Sequence, residues 1–294
     1  MARPRSYLLA AAFLTYSAAP RGFAQERPAV DHVGQPVPDY MTGDECLFCH
    51  RGRTANTWQQ TPHARTIRPV DTDPDSAKGF PADATHILGA RPPYRALKLT
   101  GYGKFALYDE TKKSWDAAKF ADRCAGCHAT AVDPATKAFS SFSIDCNTCH
   151  GDVPRKHAND GSLAWLGKKH PKDPKDIVAI CGQCHLRGGT AKSTGLPYPD
   201  NFDAGDKLFR DFQVDFSKAT GDTLNPGDRH IYRVARNAMN GGDLSCIDCH
   251  FIHPDNEDRH ALVPNGPVCV YCHNSSGPMN AVKKFSVHSA LCEY

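Results

Sequence analysis

The chain has 294 residues, 40 % of them hydrophobic, and it contains 13 cysteines, 15 histidines, 23 glycines and 22 prolines. Its formal net charge is +3, but three arginines lie within the first 24 residues, and the rest of the chain is balanced at 32 basic and 32 acidic side chains. A balanced charge argues against a nucleic-acid-binding protein, and no stretch from Gln25 onward is long and apolar enough to predict an integral membrane segment.

The first 24 residues have the pattern of a signal peptide. Arg3 and Arg5 precede a short apolar stretch, and small residues lead up to Ala24. This order is typical of an export signal that is cleaved after secretion, whereas an uncleaved membrane anchor needs a longer apolar stretch. We predict cleavage near Ala24 and a mature protein that is periplasmic or secreted.

Few regular elements are predicted beyond this point. Asp44 is a candidate N-cap for a short helix, and residues 101–115 alternate on either side of DETKK as in a β-hairpin. Residues 228–242 predict a helix that begins at Asp228 and ends at a pair of glycines. Pro-rich segments such as residues 68–84 are predicted to be loops. The predicted fold class is therefore mainly α, with extensive irregular loops and little β.

Twelve of the cysteines fall into six copies of the pattern CxxCH. In chain order the copies are Cys46, Cys49 and His50; Cys124, Cys127 and His128; Cys146, Cys149 and His150; Cys181, Cys184 and His185; Cys246, Cys249 and His250; and Cys269, Cys272 and His273. This pattern attaches a c-type haem: the two thiols bond to the vinyl groups of the haem, and the histidine binds its iron. Zinc sites built from CxxC pairs are the alternative, but zinc does not require a histidine after every pair. We predict six c-type haems.

So many haems in a chain of this size have to pack on one another and form much of the core. We therefore predict that residues 25–294 form a single hexahaem domain. Within the first three motifs a long gap is followed by a short one, and the same order recurs within the last three motifs. This spacing is compatible with two three-haem halves at about residues 25–165 and 166–294.

The second axial position of each iron requires a further ligand, for which histidine is the first candidate. We favour six of the nine histidines outside the motifs, namely His63, His157, His230, His253, His260 and His288. His86 and His170 come next, and His32 lies near the terminus; Met41, Met239 and Met279 are alternatives. Cys292 lies outside the motifs and has no predicted role. Because His253 follows His250 by only three residues, we expect it to reach the iron of a neighbouring haem.

Three stretches resemble a group of multihaem cytochromes c that contains tetrahaem periplasmic carriers, ammonia-forming nitrite reductase and hydroxylamine oxidoreductase. They are CLFCHRGRTANTWQQTPHAR with Trp58 and His63, CNTCHGDVPRKH with Gly151 and His157, and CIDCHFIHP with His253. The resemblance implies a mainly helical fold with long loops around stacked haem pairs, and it implies that these histidines are distal ligands. The nitrite reductases of this group carry a lysine in place of the histidine of the catalytic motif, whereas all six motifs here end in histidine.

The favoured function is electron transfer by a periplasmic or extracellular relay whose partners are donor and acceptor redox proteins. One alternative is a subunit of an extracellular cytochrome filament, which has copies of itself as partners. The other is a multihaem oxidoreductase in which one open iron reduces a small nitrogen or sulfur oxyanion. An electron carrier, which has no catalytic residue, is favoured over an enzyme.

Overall fold

The computed structural model describes residues 46–253, except residues 48, 51, 134, 221–222, 249 and 251. Several predictions concern residues outside this set and are not tested by it. They are the signal peptide, Asp44, the sixth motif, Cys249, His32, His260, His288, Met41, Met279 and Cys292.

Short helices and short strands alternate along the described chain. The α-helices are α1 (Arg53–Trp58), α2 (Ala117–Arg123), α3 (Ala125–His128), α4 (Cys146–His150), α5 (Pro174–His185) and α6 (Pro226–Met239). The strands are β1 (Ile67–Pro69), β2 (His86–Leu88), β3 (Arg95–Gly101), β4 (Lys104–Asp109), β5 (Ser114–Asp116), β6 (Ala129–Val132), β7 (Phe139–Phe142), β8 (Thr190–Ala191) and β9 (Phe212–Gln213). Single turns of 3-10 helix lie at His63–Arg65, Val70–Thr72, Arg155–Ala158, Gly161–Leu163, Leu208–Arg210, Phe216–Ala219 and Cys246–Asp248.

The predicted fold class, mainly α with little β, is wrong. About 35 % of the structure is helix and 17 % is strand, and the strands β1-β2-β3-β4-β5 form one antiparallel sheet in that order. Strands β6 with β7 and β8 with β9 form two further antiparallel pairs. The large sheet fills the long gap between the first and second motifs, where the sequence predicted loops and a single hairpin.

The hairpin predicted at residues 101–115 is confirmed as the turn between β4 and β5. Asp109 pairs with Ser114, and Tyr108 pairs with Trp115. Strand β4 also pairs with β3 over Leu97–Gly101, so the predicted hairpin is part of a meander. Short polar side chains favour such turns because they accept hydrogen bonds from the backbone two or three residues further on.

The helix predicted at residues 228–242 is confirmed as α6, although its cap is different. Its N-cap is Asn225, whose side chain accepts a hydrogen bond from the amide of Asp228, while Pro226 occupies the first turn. Asp228 lies inside the first turn, where its charge suits the positive end of the helix. Gly241, with φ of 85°, follows the end of the helix, as expected for a glycine stop.

Two hydrophobic cores pack against the cysteine motifs. One joins the large sheet to α2, α3 and Tyr198, and Cys124 and Cys127 lie against it. The other lies between α5, α6 and the segment around β9, and Cys246 lies against it. Both cores are therefore continuous with residues of the CxxCH motifs. None of the described helices combines the length and the apolar character needed to cross a bilayer.

Asp109 ties the hairpin to α2 through its carboxylate. Oδ2 accepts a hydrogen bond from Nζ of Lys119 at 2.9 Å, and Oδ1 accepts from the amides of Thr111 and Lys112 at 3.0 and 3.1 Å. The Lys119 hydrogen bond is the main cause that lowers the pKa of Asp109 to about 2. Because the unfolded carboxyl has a pKa of about 3.9, this contribution to stability is complete above about pH 4 and disappears as the pH falls towards 2.

We expect Asp109→Asn to lower the melting temperature at about pH 6, and we expect the deficit relative to the wild type to shrink as the pH is lowered to about 3. Thermal unfolding followed by circular dichroism measures both. Asp75→Asn is the matched control, because the carboxylate of Asp75 and its partner Lys78 are both highly exposed and such pairs contribute little. An Asp109→Asn deficit of the same size at both pH values would contradict the role of the ionised carboxylate.

Candidate functional site

Five CxxCH motifs lie on single helical turns in the part of the chain that the structure describes, which includes Cys246 and His250 of the fifth motif but not Cys249. The amide of the motif histidine donates to the carbonyl of the first cysteine in the first, second and fifth motifs, at 2.9, 3.1 and 2.9 Å for His50, His128 and His250. The fourth motif forms the last turn of α5 and the third forms α4. Residues spaced by three and four positions lie on one side of a helix. Such a turn therefore presents both cysteines and the histidine to the same side.

Aspartates cap the two helices that contain the third and fourth motifs. Asp145 precedes α4, and its side chain accepts from the amides of Asn147 and Thr148. Gly151 then ends the helix with φ of 73°. Asp173 caps α5 in the same way, at the amide of Lys175. The sequence thus begins and ends the third motif with residues suited to one helical turn.

Three motif histidines each face a histidine from outside the motifs. The ring centroids are 6.1 Å apart for His50 and His157, 6.0 Å for His185 and His63, and 6.1 Å for His150 and His253. Two imidazoles that bind one metal ion from opposite sides, with bonds of about 2 Å and ring radii of about 1.2 Å, have centroids roughly 6 Å apart. These pairs have the spacing that two axial ligands of one iron require, so the residues fit a bis-histidine haem.

Hydrogen bonds and burial leave several of these rings in a form that can bind a metal. Nδ1 of His157 donates to the carbonyl of Pro154 at 2.9 Å, and Nδ1 of His150 donates to the carbonyl of Trp165 at 2.5 Å. A donating Nδ1 leaves Nε2 as the nitrogen that can bind a metal. Burial lowers the pKa of His150 and His253, which favours the neutral imidazole that a metal requires.

The other described histidines are placed differently. Among the described residues, no histidine ring lies opposite His128 or His250 in the manner of the three pairs. Nδ1 of His128 is buried without a hydrogen-bond partner there. His230 lies exposed on α6. Of the second-choice candidates, His86 packs between two phenylalanines, and His170 packs against Trp165 with centroids 4.1 Å apart and the ring planes tilted by 47°.

Cysteines of different motifs lie beside one another. The thiol of Cys146 contacts that of Cys46, Cys184 contacts Cys127, and Cys181 contacts Cys246, and these contacts are the main cause that raises the pKa of Cys146, Cys184 and Cys181. Cys149 also lies close enough to the two cysteines of the fourth motif to act on them electrostatically. The motifs therefore follow the spatial order first, third and fourth, and the second and fifth both adjoin the fourth.

Among the described residues, no group of three or more histidine, cysteine or acidic side chains is arranged to hold a metal ion by itself. The Cys₄ clusters of the alternative zinc interpretation are therefore not brought together in this part of the chain. The cysteines instead meet in pairs from different motifs.

Two residues that brace the motifs were missed by sequence reasoning. Tyr198 is buried, donates to the carbonyl of Ala121 at 2.6 Å, and packs directly on Gly126 of the second motif, where a side chain would overlap its ring. Trp165 donates its amide to the carbonyl of His150 at 3.1 Å. The glycine inside CAGCH was a usable signal for a close neighbour, but no local pattern identifies Tyr198 as that neighbour.

Comparisons with known proteins agree with the motifs over part of the chain. Residues 94–151, which contain the second and third motifs, match the model of the family described as cytochrome c554 and c-prime. No curated protein matches the chain.

Two solved structures have a detectable likeness to the chain. The outer cell wall cytochrome OcwA is 21 % identical with a TM-score of 0.46, and the match covers 82 % of this chain and 63 % of that one. An undecahaem cytochrome from the S-layer of Carboxydothermus ferrireducens is 17 % identical with a TM-score of 0.43, and the match covers 88 % of this chain and 44 % of that one. The chain thus spans less than two thirds of either structure.

Proposed function

We propose that the chain binds six c-type haems covalently and transfers electrons through them, as a relay in the periplasm or outside the cell. The observation that carries this proposal is the set of three histidine pairs, each with one motif histidine and one histidine from elsewhere at 6.0 to 6.1 Å. The match of residues 94–151 to a cytochrome family supports it. Donor and acceptor redox proteins are the partners that such a relay requires.

The proposal gives each site residue a role. The twelve motif cysteines form the thioether bonds, and the six motif histidines are proximal ligands. His157, His63 and His253 are distal ligands opposite His50, His185 and His150. His230, His260 and His288 are kept as candidates for the remaining irons. Residues 25–294 are proposed as one hexahaem domain that follows a cleaved signal peptide.

The bound haem supplies one-electron chemistry at its iron. The paired histidines would hold a bound haem from both sides, so its coordination would stay unchanged when the charge of the iron changes and little rearrangement would accompany each transfer. The contact of Cys46 with Cys146 joins the first motif to the third, and the contacts of Cys127 with Cys184 and of Cys181 with Cys246 join the second and fifth motifs to the fourth. Cys149 of the third motif lies beside the cysteines of the fourth, so the five attachment motifs form one connected group. A connected group lets the chain pass electrons internally, with entry and exit at different motifs.

Intact mass measurement and pyridine haemochrome analysis of the purified holoprotein test the proposal. We expect six covalently bound haems, low-spin ferric signals, and reversible reduction over several one-electron steps. Fewer haems, or zinc held by the cysteines, would show the assignment of the motifs wrong. The same mass measurement reports whether the chain is cleaved after Ala24.

A second candidate function is reduction of a small nitrogen or sulfur oxyanion at an open iron. The observation that favours it is His128, which has no histidine ring opposite it among the described residues and keeps a buried Nδ1 without a partner. Nitrite and cyanide, added separately to the oxidised protein, test this candidate. A high-spin signal that either ligand converts to low spin supports it, whereas six low-spin haems that neither ligand alters rule it out.

A further inference from the structure

We propose that Trp58 is a positioning residue that sets the orientation of two imidazoles, His63 and His253, which serve two different motifs. Trp58 has this role only if both histidines are axial ligands, so the role rests on the function proposed above. His63 faces the fourth motif and His253 faces the third. One indole therefore controls a ligand at each of two adjoining sites.

Trp58 contacts both rings from a buried position. Only 7 % of its surface is exposed. Its ring centroid lies 5.9 Å from that of His63, with the two planes 6° apart, and 5.6 Å from that of His253, with the planes 54° apart. Aromatic rings at these separations restrict each other's rotation. A change in the tilt of the indole is therefore transmitted to both imidazoles.

The backbone around Trp58 is itself fixed. The carbonyl of Trp58 accepts from the amide and the hydroxyl of Thr61 at 2.8 and 2.7 Å, and that hydroxyl accepts from the amide of Ala64 at 3.3 Å. The carbonyl of His63 accepts from the amide of Ile144 at 3.1 Å. Thr61 is 3 % exposed. The turn from Trp58 to His63 is thus tied to the segment that leads into the third motif.

His253 depends on this contact for its orientation. Among the described residues, its buried Nδ1 has no hydrogen-bond partner. In contrast, Nδ1 of His157 donates to the carbonyl of Pro154. A metal ligand whose second nitrogen is hydrogen-bonded has a fixed ring plane. For His253 the packing of the Trp58 indole takes the place of that hydrogen bond.

The angle between the two imidazole planes of a pair differs between the third and fourth motifs. His63 and His185 are nearly perpendicular, at 81°, whereas His253 and His150 are nearly parallel, at 12°. In a ferric haem the angle between two axial imidazole planes determines the splitting of the iron d orbitals, and the protein controls it through the ligands. Parallel planes give a rhombic low-spin electron paramagnetic resonance (EPR) spectrum. Perpendicular planes give a highly anisotropic spectrum with one dominant low-field feature. Adjoining sites should therefore give different signals.

EPR spectroscopy of the oxidised holoprotein tests the role of Trp58. We expect the wild type to show both kinds of signal, and we expect Trp58→Leu to lose the highly anisotropic signal and to shift one rhombic signal, while the haem content and the low-spin total stay unchanged. Trp58→Phe retains an aromatic contact and should cause smaller shifts of the same signals. If the leucine variant does not fold, the shifts measured in Trp58→Phe test the role of Trp58 instead. Trp115→Leu is the control, because that indole lies on the hairpin, hydrogen-bonded to Asp83, and should alter neither signal.

Two further variants separate a failure of this role from a failure of the proposed function. His63→Met and His253→Met remove the proposed ligands themselves. If both change the spectrum while Trp58→Leu and Trp58→Phe leave it as in the wild type, the ligands are assigned correctly and Trp58 does not position them. If neither methionine variant changes the spectrum, the assignment of His63 and His253 as ligands is wrong, and the role of Trp58 falls with it.

Discussion

Replacing both Cys146 and Cys149 by alanine is expected to remove one haem and to prevent the chain from reaching its folded state. The third motif connects the first motif to the fourth, because Cys146 contacts Cys46 and Cys149 lies beside the cysteines of the fourth motif, which the second and fifth motifs adjoin. A protein whose core is packed around a bound metal or cofactor does not fold when that group is missing. The yield of folded protein should therefore fall by more than about tenfold, as in small metal-dependent domains.

Mass spectrometry and limited proteolysis of the secreted protein measure this result. Cys292→Ala is the matched control, since it also removes a thiol but lies outside every motif, and it should retain all haems and the wild-type yield. A Cys146→Ala, Cys149→Ala variant that is secreted in normal amounts, resists protease and lacks one haem would show that the third motif is not central to the fold.

The placement of two cysteines and a histidine on one turn could be predicted from the sequence because it is local. Two thiols and an imidazole at spacings of three and four residues lie on one helical turn, and the pattern CxxCH specifies that turn without reference to the rest of the chain. The helix α6 and the hairpin between β4 and β5 were likewise predictable, since the signals for each lie within about fifteen residues. The N-cap of α6 was wrong by three residues because Asn225 and Asp228 are both good caps.

The large sheet could not be predicted in this way. Strands β1 and β2 have three residues each, which is too short for an alternating pattern to appear. Their stability comes from pairing with residues about twenty positions away, such as Ile67 with Leu88. A Pro-rich segment lies between them, and its composition favours loops. The prediction of a mainly α fold was based on the motifs, which lie on helical turns. The long segment between the first two motifs instead forms a β-meander.

The sequence also could not predict which motif histidine each of His63 and His157 faces. His157 follows the third motif by seven residues, yet it faces His50 of the first motif. His63 is separated from His185 by more than one hundred residues, and the two rings lie 6.0 Å apart. A histidine that lies close to one motif in the sequence can still face another motif, provided that the segment between them is long enough to reach it. The contacts between cysteines of different motifs show that several motifs lie close to one another in space.

His253→Met is expected to change the haem attached at Cys146 and Cys149 and to leave the haem attached at Cys246 unaltered. The ring of His253 lies 6.1 Å from that of His150, with the planes 12° apart. A helical turn that presents His250 to one face of its haem cannot bring a residue three positions later round to the opposite face. Methionine in place of an axial histidine raises the reduction potential of the iron that it binds, so one step of the redox titration should move to higher potential.

Potentiometric titration and NMR of the paramagnetically shifted haem methyl groups identify the affected site. Nuclear Overhauser contacts between a haem and the side chains of Cys146 and Cys149, to which it would be attached, mark the haem of the third motif. His170→Met is the control, because His170 packs against Trp165 and faces no motif histidine in the described part of the chain, and its substitution should leave every potential in place. A change confined to the haem at Cys246 would mean that His253 serves its own motif. A change at the third motif instead makes CIDCHFIHP a segment that attaches one haem and ligates the next, so that a single short loop fixes the distance between two electron-transfer centres.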